Sequence, residues 1–132
     1  MSSQASSRER IAEEYSVLSQ LAEEIQKEIN LAQNLLEEVD ATVITLKNIS
    51  SLGESREILI PISSGVYAKA LINRQDKFLV AIGSNILVEK DLNDALQFLQ
   101  QRREELQKLI ERRVEELNKV IQRIQQLQSA LR

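Results

Sequence analysis

The chain has 132 residues, enough for one domain, and 42% of them are apolar. Only 3% are aromatic, while Leu and Ile are abundant, a composition more typical of helical coils than of a compact core. The net charge of −3 comes from intermixed signs, and the absence of Cys and His excludes disulfide frameworks, thiol chemistry and imidazole-based catalysis.

The first predicted element is a helix over about residues 7–52. Alternate spacings of three and four from Ile11 to Ile49 give apolar residues at nine of twelve positions, and the neighbouring row from Tyr15 to Val43 is apolar throughout. A stripe of this width, sustained over nearly six heptads without Pro or Gly, is typical of a coiled-coil helix with some apolar surface to spare.

Residues 57–90 are predicted to form two β-hairpins, because short apolar runs alternate with the turn sequences "SSG", "NRQD" and "GSN". The four predicted strands are 57–62, 66–72, 77–82 and 86–90. The runs "ILIPI" and "FLVAI" are apolar at nearly every position, which is typical of strands covered on both faces. Because residues 57–90 are too few to cover both faces of their own sheet, we expect neighbouring chains to cover these faces. Pro61 requires an edge or a bulge in the first strand.

The last predicted element is a helix over about residues 91–131, whose heptad row from Leu96 to Leu131 is apolar at nine of eleven positions. Arg103 and Arg113 fill the other two and are expected to extend towards solvent or to fix the register. Two heptad helices joined by a compact middle most simply fold back as an antiparallel coiled coil. The first is acidic and the second slightly basic, which favours this pairing mildly.

Both helices carry terminal signals in the sequence. Ser6 and Glu9 have the spacing of a capping box at the start of the first helix, and Gly53 is a predicted stop. Asp91 is predicted to cap the second helix, with Asp94 complementing the helix dipole three residues later.

The sequence shows no chemistry of an enzyme. It lacks nucleotide-binding glycine motifs, and its paired Glu residues point about 100° apart on a helix, so we expect no metal site and no cofactor. Arg102–Arg103 and Arg112–Arg113 suggest nucleic-acid binding only weakly, because Glu residues lie among them. With no secretory signal and no apolar run of about 20 residues, a soluble cytoplasmic protein is expected.

If the helices fold back, the apolar stripe continues almost to their free ends. These residues could simply close the coil, or their surplus surface could hold unfolded chains without ATP. The candidate client contacts are Ile11, Tyr15, Leu18, Ile121, Ile124, Leu127 and Leu131. The candidate oligomerisation residues in the strands are Ile58, Ile60, Ile62, Val66, Leu71, Phe78, Val80, Ile82, Ile86 and Val88.

The middle of the chain, "ILIPISSGVYAKALI" followed by "KFLVAIGSNILVEKD", resembles the prefoldin family. The shared pattern is an apolar strand with Pro, a Gly with a nearby aromatic-x-Lys-Ala, then Ile-Gly, and finally Val-Glu-Lys before the second helix. Two hairpins instead of one resemble the α class of subunits, and the short chain resembles archaeal members.

The resemblance implies an α+β fold: a long antiparallel two-helix coiled coil joined by two β-hairpins that form an intersubunit β-barrel. It also implies a hexamer of two α-type and four β-type subunits that captures unfolded clients at the coil tips without ATP and passes them to a group II chaperonin. Homo-oligomeric and filamentous relatives leave the stoichiometry open. The alternative is a structural coiled-coil tether that oligomerises through its sheet and binds no client.

Overall fold

The computed structural model describes residues 2–132 as two long helices separated by four strands. In chain order the elements are α1 (Ser2–Ser50), β1 (Arg56–Ser63), β2 (Val66–Ile72), β3 (Lys77–Gly83), β4 (Ile86–Asp91) and α2 (Leu92–Leu131). The predicted combination of two long helices with two antiparallel hairpins is confirmed. No helix within residues 2–132 is long and apolar enough to cross a membrane.

Two compact units make up the chain. One contains the chain up to Glu37 together with Glu104–Arg132, and is formed by α1 and α2 alone. Its ion pairs run from Glu28 to Arg113 and from Glu14 to Arg123, so α1 and α2 are antiparallel in it. The other unit, Glu38–Arg103, contains both hairpins and the helical segments that lead into and out of them.

The apolar row of α2 lies where the heptads predict. Every position of the row from Leu96 to Leu131 is buried or half-buried, including the two arginines.

In α1 the second row of side chains at the interface is the apolar row from Tyr15 to Val43. The row that lies one residue earlier in the sequence, which contains Leu21 and Glu28, is instead largely exposed. Both rows carry apolar residues, so periodicity alone could not decide between them. The most buried residues of α1 are Ile25, Ile29, Ala32 and Val39.

The start and end of α1 differ from the sequence predictions. The helix begins at Ser2, so Ser6 lies inside it and the predicted capping box is wrong. It ends at Ser50 in a tightened last turn, in which Leu52 N donates to Ile49 O at 3.3 Å. Gly53 follows without a left-handed backbone, so it does not end the helix as a C-terminal cap.

The start of α2 is as predicted. Asp91 Oδ1 accepts a hydrogen bond from Asp94 N at 2.8 Å, which satisfies one of the free amides of the first turn. Asp94 is the acidic residue of that turn, where it complements the positive end of the helix dipole.

The two hairpins have the same kind of turn and bulge at positions 20 residues apart. Ser64–Gly65 and Ser84–Asn85 form two-residue turns in which all four φ angles are positive, between 49° and 83°. Such turns match the twist of antiparallel strands. In each hairpin the register shifts just before the turn, between Pro61 and Ser63 and between Ala81 and Gly83. Pro61 therefore lies next to a bulge, as predicted.

The hairpins do not pair with each other. β1 pairs only with β2, and β3 only with β4, so each strand has an edge that no strand among residues 2–132 covers. All eight residues of β1 are exposed. In the second hairpin Phe78 and Val80 are half-buried, and they share a groove with Leu46, Ala95 and Phe98 of the helices.

Candidate functional site

The predicted client-binding residues lie where α1 and α2 end together, a region called here the coil end (residues 4–18 and 121–131). Five of the seven are half-buried: Ile11, Tyr15, Leu18, Ile124 and Leu131. Leu127 is only 3% exposed, and Ile121 is 39% exposed. Most of these side chains therefore pack between the two helices.

Polar contacts connect the helices across the coil end. Arg123 donates from Nε and Nη2 to the two carboxylate oxygens of Glu14 at 2.9 and 3.1 Å. Gln128 Nε2 donates to Tyr15 Oη at 3.2 Å, and Arg8 Nη2 reaches Leu131 O at 3.5 Å. All three contacts are exposed, and exposed pairs contribute little to stability. The coil end is thus closed by few and weak polar contacts over an apolar interior.

The Arg123–Glu14 pair contributes a pH-dependent term to the stability of the coil end. The hydrogen bond from Arg123 is the main cause that lowers the pKa of the Glu14 carboxyl, and the same contact raises the pKa of Arg123. A carboxyl whose pKa is lowered in the folded state stabilises that state above its ordinary pKa. The contribution is lost as the pH falls through the lowered value.

We therefore expect Arg123→Ala to speed amide hydrogen exchange at residues 118–131 by about twofold to fivefold at neutral pH, since exposed pairs are weak. The difference from the unmodified chain should disappear only below the usual titration range of a Glu carboxyl. Arg112→Ala is the control, because Arg112 is exposed on the same helix and has no ion pair among residues 2–132. Equal exchange in all three proteins would show that the pair does not hold the coil end.

The two arginines in the heptad row of α2, Arg103 and Arg113, pair with carboxylates of α1. Arg113 Nε lies 2.8 Å from Glu28 Oε2, and its Nη1 donates to Glu116 Oε2 at 2.8 Å. Both carboxylates raise the pKa of Arg113, Glu116 through its hydrogen bond most of all. Arg103 Nε lies 3.4 Å from Asp40 Oδ1 but is buried and donates no hydrogen bond. Each arginine thus reaches an acidic partner on α1 from its position at the helix interface.

The strands carry the second predicted set of functional residues. The exposed members are Ile58, Ile60, Ile62, Val66, Leu71, Ile82 and Ile86. Phe78, Val80 and Val88 are half-buried instead. Both faces of the hairpins carry exposed apolar side chains, and no segment of residues 2–132 covers them fully.

Sequence reasoning missed four exposed strand residues. Leu59, Tyr67, Leu79 and Leu87 are each more than half exposed. Leu59 is paired with Lys69 and Leu79 with Glu89, on the opposite face from Ile60 and Val80. The alternation of side chains along a strand was the signal for this second face, but the continuous apolar runs obscured it.

Exposed apolar faces and open strand edges of this kind bind further strands or chains. The exposed faces and open edges of the hairpins are therefore suited to contact with other polypeptides. Within residues 2–132 no group of acidic residues is arranged to hold a metal ion.

A family model described as "Prefoldin subunit" matches residues 18–132, which include both hairpins, all of α2 and most of α1. The chain belongs to the prefoldin family. It is 62% identical to the prefoldin subunit alpha of Thermofilum pendens over 97% of this chain and 99% of that protein. It is 31% identical to the prefoldin subunit alpha of Methanococcoides burtonii over 92% of this chain and 88% of that protein.

The prefoldin fold is also found in a solved structure. A filamentous PFD from Methanocaldococcus jannaschii has a TM-score of 0.75 to this chain at 21% identity, covering 90% of this chain and 98% of that one. The predicted resemblance to archaeal prefoldin α subunits is confirmed by these relatives. Prefoldin subunits are chaperone subunits that form complexes with other prefoldin subunits, and this chain is one of that family.

Proposed function

We propose that this chain is the α-type subunit of a cytoplasmic chaperone complex that binds unfolded proteins at the coil end without ATP and passes them to a group II chaperonin. The complex contains copies of this chain and prefoldin β-type subunits, in the ratio of two to four. The hairpins of neighbouring subunits form its β-barrel and cover each other's apolar faces.

One observation supports client binding above all. The coil end has an apolar interior that continues to Leu131, and it is closed by exposed polar contacts such as Arg123–Glu14. Helix ends fray readily, and weak closing contacts allow the two ends to separate. Separation exposes Leu127 and its neighbours, which then offer apolar surface to a non-native chain.

The closed coil end also favours a second candidate function, a structural tether. With Leu127 only 3% exposed, the apolar residues are satisfied by one another. In that case the coil is a spacer, and the hairpins serve oligomerisation alone.

Aggregation of a chemically denatured enzyme, followed by light scattering, distinguishes the two functions. We expect the assembled complex to suppress scattering equally with and without ATP. Addition of a group II chaperonin and ATP should then restore enzyme activity. A tether predicts scattering equal to that of the denatured enzyme alone, and this outcome would refute client binding. Suppression without recovery of activity would refute the transfer step only.

A further inference from the structure

An exposed strip of alternating apolar and acidic residues runs along α1 within the unit that contains the coil end. Its members are three and four residues apart, so they lie on one face of the helix. The strip, called here the lateral strip, consists of Val17, Leu21, Glu24, Glu28, Leu31 and Leu35. Three of its members, Leu21, Glu28 and Leu35, belong to the row that the heptads assigned to the interface, and the structure leaves Leu21 and Glu28 exposed and Leu35 half-buried.

One member of each apolar pair in the lateral strip is highly accessible. Val17 is 63% and Leu31 is 61% exposed, whereas Leu21 is 39% exposed and Leu35 is half-buried. Between them lie Glu24, which forms no ion pair among residues 2–132, and Glu28, which pairs with Arg113. The apolar pairs repeat after 14 residues, or about 21 Å of helix, with the acidic pair halfway at about 10 Å.

The charge around the strip restricts what it can bind. Residues 11–40 of α1 contain eight acidic residues and a single basic one, Lys27. A second copy of α1 would bring the same negative charge and is disfavoured by repulsion. An uncharged segment would cover Glu24 without giving it a partner, which costs the carboxylate its hydration. A positively charged segment avoids both costs.

We propose that the lateral strip binds basic segments of unfolded polypeptide, in which Lys or Arg stands between two apolar residues. A polyproline II segment advances about 3.1 Å per residue and returns to the same face every third residue, so apolar residues six apart span about 19 Å, close to the distance between the apolar pairs. A basic residue at the midpoint, three residues from each, lies on the same face and reaches Glu24. This inference rests on the proposed client binding and adds a preference for basic clients.

Two labelled peptides test the proposal by fluorescence anisotropy with the assembled full-length complex. The first carries Leu-Ser-Gly-Lys-Ser-Gly-Leu, and the second has Glu in place of Lys. We expect the Lys peptide to bind about fivefold tighter, the preference to fall on raising the salt concentration, and Glu24→Lys to reverse it. Leu31→Ser should weaken binding of the Lys peptide by about tenfold through lost apolar contact.

Ile44→Ser is the matched control, since Ile44 is 60% exposed on the same helix and lies outside the strip. Equal binding of the two peptides, or equal affinities in Leu31→Ser and Ile44→Ser, would overturn the proposal. If the strip variants leave peptide binding unchanged while the complex still suppresses aggregation, the strip is wrong and the chaperone function stands. If the unmodified complex neither binds peptide nor suppresses aggregation, the proposed function itself fails.

Discussion

A chain in which Leu59 and Leu79 are both replaced by Lys is expected to stay monomeric, alone and in the presence of a prefoldin β-type subunit. The two side chains occupy equivalent positions in the two hairpins and are 62% and 68% exposed. If neighbouring subunits cover them, the substitutions bury a positive charge at each position, at position 59 directly across from Lys69 and at position 79 across from Glu89. The loss of hydration at both positions and the like-charge contact with Lys69 together cost several kcal/mol, enough to abolish assembly.

Native mass spectrometry of the unmodified and substituted chains, each with and without the β-type partner, measures this directly. Because Leu59 and Leu79 are already exposed in the single chain, the hairpins should still fold. Circular dichroism checks that point. The control is Ile44→Lys, which places the same charge at a residue of similar exposure on α1. Assembly of the double variant to the same mass as the unmodified chain would show that this face is not an interface.

The hairpins were the most predictable part of the fold because their signals are local. The turns Ser64–Gly65 and Ser84–Asn85 need positive φ angles, which Gly and Asn tolerate well and which interrupt the apolar runs at fixed places. The observed strand β2, Val66–Ile72, has the predicted bounds, and β1 extends the prediction by one residue at each end. Local turn chemistry sets these limits independently of any partner.

It was harder to predict which face of a helix or strand is covered, because the covered face depends on what packs against the element. In α1 the residues Leu21 and Ala22 are both apolar, yet Leu21 is exposed and Ala22 is half-buried. The position of α2 decides between them, and the periodicity of α1 contains no information on it. In β1, Leu59 and Ile60 lie on opposite faces and both are exposed, so the alternation along the strand does not indicate which face a partner covers.

The closure of the coil end was beyond sequence analysis for a related reason. Heptads predict that Leu127 faces α1, but they do not indicate that Arg123 meets Glu14 through two hydrogen bonds. Cross-helix polar contacts depend on the axial register of the two helices, which apolar rows constrain only to within a heptad. The sequence could therefore place the candidate client residues at the coil end, but it could not predict how accessible their side chains are.

The double substitution Ile121→Ser with Ile124→Ser tests client binding at the coil end. If the coil end holds unfolded chains, loss of two apolar side chains per subunit should weaken client binding by about tenfold or more. Suppression of aggregation should then require a correspondingly larger amount of complex in the light-scattering assay. The hairpins are unchanged in this variant, so native mass spectrometry should find the same assembly as for the unmodified chain.

The coil provides a control displaced by one heptad. Val114 and Leu117 stand seven residues before Ile121 and Ile124, and Val114 and Ile121 are equally exposed at 39%. Replacing Val114 and Leu117 with Ser removes similar apolar surface from the same face of α2, so it weakens the coil by a similar amount without touching the coil end. If both double variants lose protection equally, stability of the coil and not contact with the client explains the loss. If only the variant at 121 and 124 loses it, the apolar interior of the coil end is what binds the client, and closure by Arg123 and Glu14 then limits its access.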